Sequence, residues 1–191
     1  GIQAHCPPTG KAPGGYCDTL HARGRPFVFM NAAGVPEDVT TLLHEAGHCF
    51  HAFASHALPF IWQRHPGAES AELASMSMEL LAAPHLGQPT GYYEGPDAVS
   101  ARLEHLEDIL ISLAHIASVD AFQSWIYTAP EGRDAAARDQ AWPRLRERFE
   151  PGTDWSGLEA ERVSRWYRQL HIFLYPFYYI EYGLAQIGAL Q

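Results

Sequence analysis

The stretch that most constrains the fold runs from Val39 to Ala52, Val-Thr-Thr-Leu-Leu-His-Glu-Ala-Gly-His-Cys-Phe-His-Ala. His44 and His48 stand four residues apart, with Glu45 directly after the first. On a helix, positions four apart project from one face one turn apart, so the two imidazoles can bind one ion with a carboxylate beside it. Leu42, Leu43, Ala46, Cys49, Phe50 and Phe53 make the segment mostly apolar, which predicts a buried helix. Burying two imidazoles and a carboxylate without partners is costly, and a metal ion would satisfy all three. The plainer reading, two ordinary helix histidines paired with water or carboxylates, loses ground in that apolar setting.

At 191 residues the chain is expected to form one domain, residues 1–191, with room for a real core. An apolar fraction of 47% and 12% aromatics exclude a disordered chain. A net charge of -9 without a basic stretch argues against nucleic acid and anionic membrane as partners. The cysteines, Cys6, Cys17 and Cys49, are odd in number and irregular in spacing, so no disulfide framework is expected and a reducing, cytoplasmic setting is favoured. The opening Gly-Ile-Gln-Ala-His has neither the basic start nor the apolar core of a signal peptide. Residues 109–126 are apolar but carry His115, Asp120 and Gln123, too polar to span a bilayer. The chain starts at Gly and stops in a helical run, Gly183 to Gln191, which reads as a piece of something longer.

Taken in order, residues 1–24 are rich in Gly and Pro and predict loops with one short strand near Tyr16. Arg25 to Asn31 is the clearest strand, with Phe27 and Phe29 on one face. Gly34-Val35-Pro36 turns the chain, and Asp38 or Thr40 can cap the helix that holds His44, which should end near Ala57 to Pro59. Phe60, Ile61 and Trp62 in the following loop are expected to pack over that helix. A second helix should begin at Glu69 and stop before Pro84, with Glu72 and Glu79 on one face. A long helix follows from Asp97 or Ser100 to Ala129-Pro130, its inward stripe read as Leu103, Leu106, Leu110, Leu113, Ala117 and Ala121. His105 and His115 read as satisfied core histidines. Residues 133–149 read as an arginine-rich, solvated helix with a start or kink at Pro143, and a further helix carries Leu158, Val163, Trp166 and Leu170.

Two histidines around a glutamate at this spacing form the zinc-binding helix of many metallopeptidases. Such a site needs a third protein ligand and keeps its fourth position for water. The longer metzincin pattern would require Gly at 51 and His at 54, where this chain has His51 and Ala54. His51 faces the right way, but three ligands in a row on a straight helix do not readily close a tetrahedron. Glu69, Glu72 and Glu79 of the second helix remain. Glu72 is preferred, because Glu69 lies in the exposed first turn and Glu79 two turns on, where it suits holding the free ring nitrogen of a ligand histidine.

His44-Glu45-Ala-Gly-His48, then Ser70-Ala-Glu72-Leu-Ala-Ser75, then Glu79, resembles the thimet oligopeptidase and oligoendopeptidase F family of zinc metallopeptidases. Gly10 to Cys17, Pro26 to Asn31, and the His and Tyr cluster from His171 to Tyr182 are similar to the same family, in the same order. The resemblance implies a mainly α, zincin-like catalytic core with a small N-terminal β element. It implies one zinc ion held by His44, His48 and Glu72, and an oligopeptide as substrate. Glu45 would serve as general base, and His171, Tyr178 and Tyr182 as donors to the oxyanion, with Tyr175 and Tyr179 as alternates. Family members are much longer, with helical portions on either side of this region. The competing expectation is therefore a truncated zinc-binding helical domain without catalysis, and an apolar face left bare by missing segments would offer a homo-oligomer contact.

Overall fold

In the computed structural model, residues 15–191 are described; Cys6 and the Gly10–Gly14 part of the upstream motif lie outside them. The described residues fall into two compact units, one running up to His105 and including Ala185–Gln191, the other Leu106–Leu184.

The first unit begins with an antiparallel hairpin, β1 (Gly15–Leu20) and β2 (Arg25–Met30), in register from Gly15 opposite Met30 to Leu20 opposite Arg25. Alternation puts Tyr16, Phe27 and Phe29 on the exposed face, where Tyr16 stacks on Phe29 at 5.5 Å and meets Phe27 edge-on at 6.2 Å. Cys17 and its neighbours on the other face meet α1 (Pro36–Ser55). Pro36 suits the first helical position, where no amide partner is needed. Asp38 caps from inside the first turn, its Oδ2 accepting the backbone N–H groups of Ala33, Gly34 and Val35 at 2.9, 2.6 and 3.0 Å. The helix stops two residues earlier than expected, at Ser55.

Helix α2 (Ala68–Ala82) packs on α1, and a short 3-10 turn carries the chain past Pro84 to His85. The two helices meet at Gly47, where a Cβ would stand 2.5 Å from the Ser75 Cα and 2.7 Å from the Ala74 carbonyl oxygen. Only a residue without a side chain permits that approach. The loop between the helices departs from expectation: Phe60, Ile61 and Trp62 do not cover α1, and Trp62 is 80% exposed. Its 3-10 turn, Ile61–Arg64, is pinned to the backbone instead, Arg64 donating from Nε to the Leu58 carbonyl at 3.0 Å.

Helix α3 (Pro96–Thr128) runs from one unit into the other. Its start and stop match the Pro signals at both ends, but its inward stripe does not match the leucine reading. Leu103, Leu106 and Leu110 are exposed, and the buried positions are Ile109, Ile116, Ser118, Val119, Phe122 and Gln123. Apolar residues surround much of this helix, so periodicity could not separate the face that packs from the one beside it. By length and composition α3 could cross a membrane. Here its C-terminal half is the spine of the second unit: Val119 and Phe122 pack with Trp142 of α4 (Ala135–Glu147) and with Trp166 and Ile172. Asp134 caps α4, accepting from the Ala137 amide at 2.8 Å. This helix is not solvated all round, since Trp142 is fully buried and meets the Phe122 ring at 5.2 Å. The expected single helix after Gly152 is broken into α5 (Glu159–Ser164), a 3-10 turn and α6 (Leu170–Leu174), before α7 (Tyr179–Ala189).

Candidate metal centre

His44 and His48 project from one face of α1 with their rings 5.0 Å apart and nearly perpendicular. Glu72 comes to them from α2, its Oε2 3.3 Å from His44 Nε2 and 3.8 Å from His48 Nε2. One ligand atom from each of the three residues lies within 4.8 Å of the others. A tetrahedral zinc with bonds of about 2.0–2.1 Å requires donors separated by roughly 3.4 Å, so this set fits the ion without rearranging the helices. His51 is not in the group, and Glu69 is exposed.

The electrostatics ask for a cation. Glu45, Glu72 and Glu79 are all buried, a heavy negative load for one helix pair. Glu79 Oε1 bonds His44 Nδ1 at 2.7 Å, which fixes the ring and leaves Nε2 turned to Glu72. Burial disfavours an imidazolium at His44, but hydrogen bonds to Glu72 and Glu79 outweigh it and push its pKa up to about 10. Burial lowers the His48 pKa, keeping that ring a neutral donor. Glu72 is steadied by Ser75, whose Oγ lies 3.2 Å from Oε2 while donating to the Glu72 carbonyl oxygen at 2.9 Å.

Glu45 is 6% exposed, and its Oε2 is buried without a hydrogen-bond partner among the described residues. Burial raises its pKa, against the His44 charge and a hydrogen bond with the Cys17 backbone in β1. A buried carboxylate with one open oxygen and a raised pKa accepts a proton more readily than an exposed one.

In the second unit, His171 sits among tyrosines. Its ring stacks on Tyr178 at 5.6 Å, meets Tyr179 and Tyr182 edge-on at 5.1 and 5.8 Å, and lies 6.2 Å from Tyr175. Tyr182 Oη stands 3.5 Å from His171 Nε2. A turn, not a continuous helix, produces this convergence. Phe177 adopts φ 63°, and its amide donates to Oε1 of the fully buried Gln123 at 3.3 Å. That left-handed residue costs about 1 kcal/mol, offset by the buried hydrogen bond, and turns the chain between α6 and α7. Tyr175 is exposed, whereas Tyr178 and Tyr182 are partly buried.

The sequence profile of peptidase family M3 matches residues 6–191. The chain belongs to this family. Among solved structures, PZ peptidase A with an inhibitor is 36% identical, with a TM-score of 0.85 over 96% of this chain and 32% of its own. An oligoendopeptidase F is 37% identical with a TM-score of 0.84, again over 96% of this chain and 32% of its own. A second oligoendopeptidase F, from Bacillus anthracis str. Ames, is 33% identical with a TM-score of 0.75, over 97% of this chain and 29% of its own. No curated protein sequence is similar to the chain at a comparable level. The M3 chain thus spans about a third of the length of the structures it matches and carries the His-His-Glu group.

Two participants of this M3 centre escaped the sequence reading. His105, read as a core histidine, donates its position to the site: Nε2 lies 2.7 Å from Glu79 Oε2, so Glu79 bridges His44 and His105. The backbone of Cys17 contacts Glu45 across the strand–helix boundary. Neither has a signal in local spacing, since His105 is 26 residues from Glu79 and a backbone contact leaves no trace in residue type. His115, the other core histidine, is satisfied as expected, by Gln169 at 3.3 Å and Arg146 at 2.6 Å.

Proposed function

We propose that the chain is the zinc-binding catalytic region of a metalloendopeptidase that hydrolyses peptide bonds in oligopeptides. The observation that carries this reading is the grouping of His44, His48 and Glu72 at zinc-donor spacing, with a buried open carboxylate oxygen on Glu45, the residue after the first ligand. Zinc held by these three residues supplies Lewis acidity that polarises a peptide carbonyl and acidifies water. Glu45 takes the proton of the attacking water and passes it to the departing amine, a role its raised pKa suits. Glu79 holds His44 by Nδ1 so that Nε2 is the donor. We assign His171, Tyr178 and Tyr182 as hydrogen-bond donors to the oxyanion on the family resemblance. Support for them is their mutual packing within the second unit and the Tyr182 hydroxyl near His171.

A second reading is favoured by the span of about a third of the matched structures: a zinc-binding domain without turnover. One substitution separates the two. Glu45→Gln should leave one zinc per chain, measured by atomic absorption, and lower cleavage of a quenched fluorescent peptide by about 10²–10⁴-fold. Unchanged cleavage, or no cleavage by the wild-type zinc protein, would sink the peptidase reading. Wild-type protein without stoichiometric zinc would sink both.

A further inference from the structure

Cys17 and Cys49 meet where the hairpin lies on α1. Their sulfurs are 3.5 Å apart, both thiols are free, and both side chains are only partly buried. Cys17 lies on the face of β1 that meets the helix, and Cys49 follows the ligand His48 directly. Neither residue has a part in the metal centre through its side chain. The pairing joins residues 32 apart in sequence, on two elements fixed to one another by packing.

We propose that Cys17 and Cys49 form a dithiol modification site that takes one intramolecular disulfide, reversibly bonding β1 to the zinc-ligand helix. Closing the bond requires the sulfurs to approach from 3.5 Å to about 2.0 Å, a change within the reach of small side-chain rotations on adjoining elements. With oxidised glutathione as the oxidant, one cysteine sulfur attacks a glutathione sulfur, forming a mixed disulfide and releasing one glutathione. The second cysteine then attacks the mixed disulfide at the protein sulfur and releases the other glutathione. The two protein thiols give up two electrons and two protons, and the glutathione disulfide becomes two glutathione thiols. A thiol such as dithiothreitol runs the exchange backwards. Cys17 also contributes the backbone group that contacts Glu45, so the bond would join the strand behind the proposed base to the turn of helix after His48.

The full 191-residue chain, loaded with zinc and fully reduced, would be incubated with excess oxidised glutathione and examined by intact mass and by non-reducing peptide mapping. The expected result is the loss of two hydrogens from the intact monomer, a cross-linked peptide pair containing Cys17 and Cys49, and full return on adding dithiothreitol. Cys6→Ser should behave as wild type, whereas Cys17→Ser and Cys49→Ser should accumulate stable glutathione adducts. The wild-type map stands on its own if either serine variant fails to fold. Glutathione adducts retained on both Cys17 and Cys49 of the wild type, disulfide-linked dimers, a bond to Cys6, or two unreacted thiols would each overturn the proposal. The readout is mass, so it does not depend on whether the chain hydrolyses peptides.

Discussion

Gly47 lies between the two candidate zinc-ligand histidines, and its replacement tests whether the closeness of α1 and α2 makes the site. A Cβ there would stand 2.5 Å from the Ser75 Cα, 2.7 Å from the Ala74 carbonyl oxygen and 3.0 Å from the Ser75 nitrogen. All three are backbone atoms of α2 and cannot turn aside. Restoring ordinary contact at 3.4 Å forces the helices apart by about 0.9 Å. Glu72 rides on α2 while His44 and His48 ride on α1, so their separations of 3.3 and 3.8 Å would open by a similar amount. Metal sites tolerate about 0.2 Å. Gly47→Ala should therefore lower zinc affinity by at least about 100-fold, and overpacking should cost roughly 1–3 kcal/mol in stability. Competition with a chromophoric chelator gives the affinity, and circular dichroism shows that the helices persist. A folded Gly47→Ala protein with wild-type zinc affinity would refute the claim that this contact sets the ligand geometry.

Other substitutions divide the site by role. Glu72→Ala should weaken zinc binding far more than His51→Ala in the same chelator assay, and equal effects would remove Glu72 from the ligand set. Glu79→Gln and His105→Ala should each lower zinc affinity by about 10–100-fold, since one holds His44 and the other holds Glu79; wild-type affinity in His105→Ala would deny it a positioning role. In metal-free protein the raised His44 pKa, about 10, adds stability that is fully present below its unfolded value near 6.5 and is lost as pH rises through about 10. The same proton competes with zinc, so apparent affinity should improve about tenfold per pH unit between about 7 and 9; a flat profile by calorimetry would contradict it. Trp142→Ala, emptying a fully buried ring of the second unit, should cost about 3–5 kcal/mol in thermal unfolding.

What could be read from the sequence follows the range of each signal. Helix α1 with its two histidines is a local pattern, and Glu72 could be preferred by its position on the next helix, past the exposed first turn that holds Glu69 and two turns before Glu79. The strand expected over Arg25–Asn31 was legible because alternation and Pro26 both mark it, and it ends one residue earlier, at Met30. Longer-range facts were not. The inward stripe of α3 was misassigned, since a helix apolar on several sides does not record which side its partners occupy. The break between α6 and α7 at Phe177 was not foreseen, since nothing about a phenylalanine announces a left-handed backbone. The exposed Phe60, Ile61 and Trp62 show the reverse limit, because apolar character predicts burial only where something is present to cover it.

The choice of histidine as the partner of the buried acids follows from what the site must do in two states. Among the described residues, Glu72 and Glu79 are ion-paired with the imidazoles of His44, His48 and His105. An arginine in the same place would neutralise a carboxylate permanently, and its charge would repel an arriving cation. Imidazole can carry a proton while the site lacks metal and release it when metal binds, so the acids are compensated in both conditions. His44 does this directly, since its pKa is pushed up by the acids that the ion would share. Glu79 stays ionised throughout, because hydrogen bonds from His105 and His44 outweigh its burial and lower its pKa. His105 thus anchors the charge that orients His44 without competing for the ligand nitrogen. A histidine 26 residues beyond Glu79, on another helix, thus holds the carboxylate that bonds Nδ1 of the first histidine in the motif.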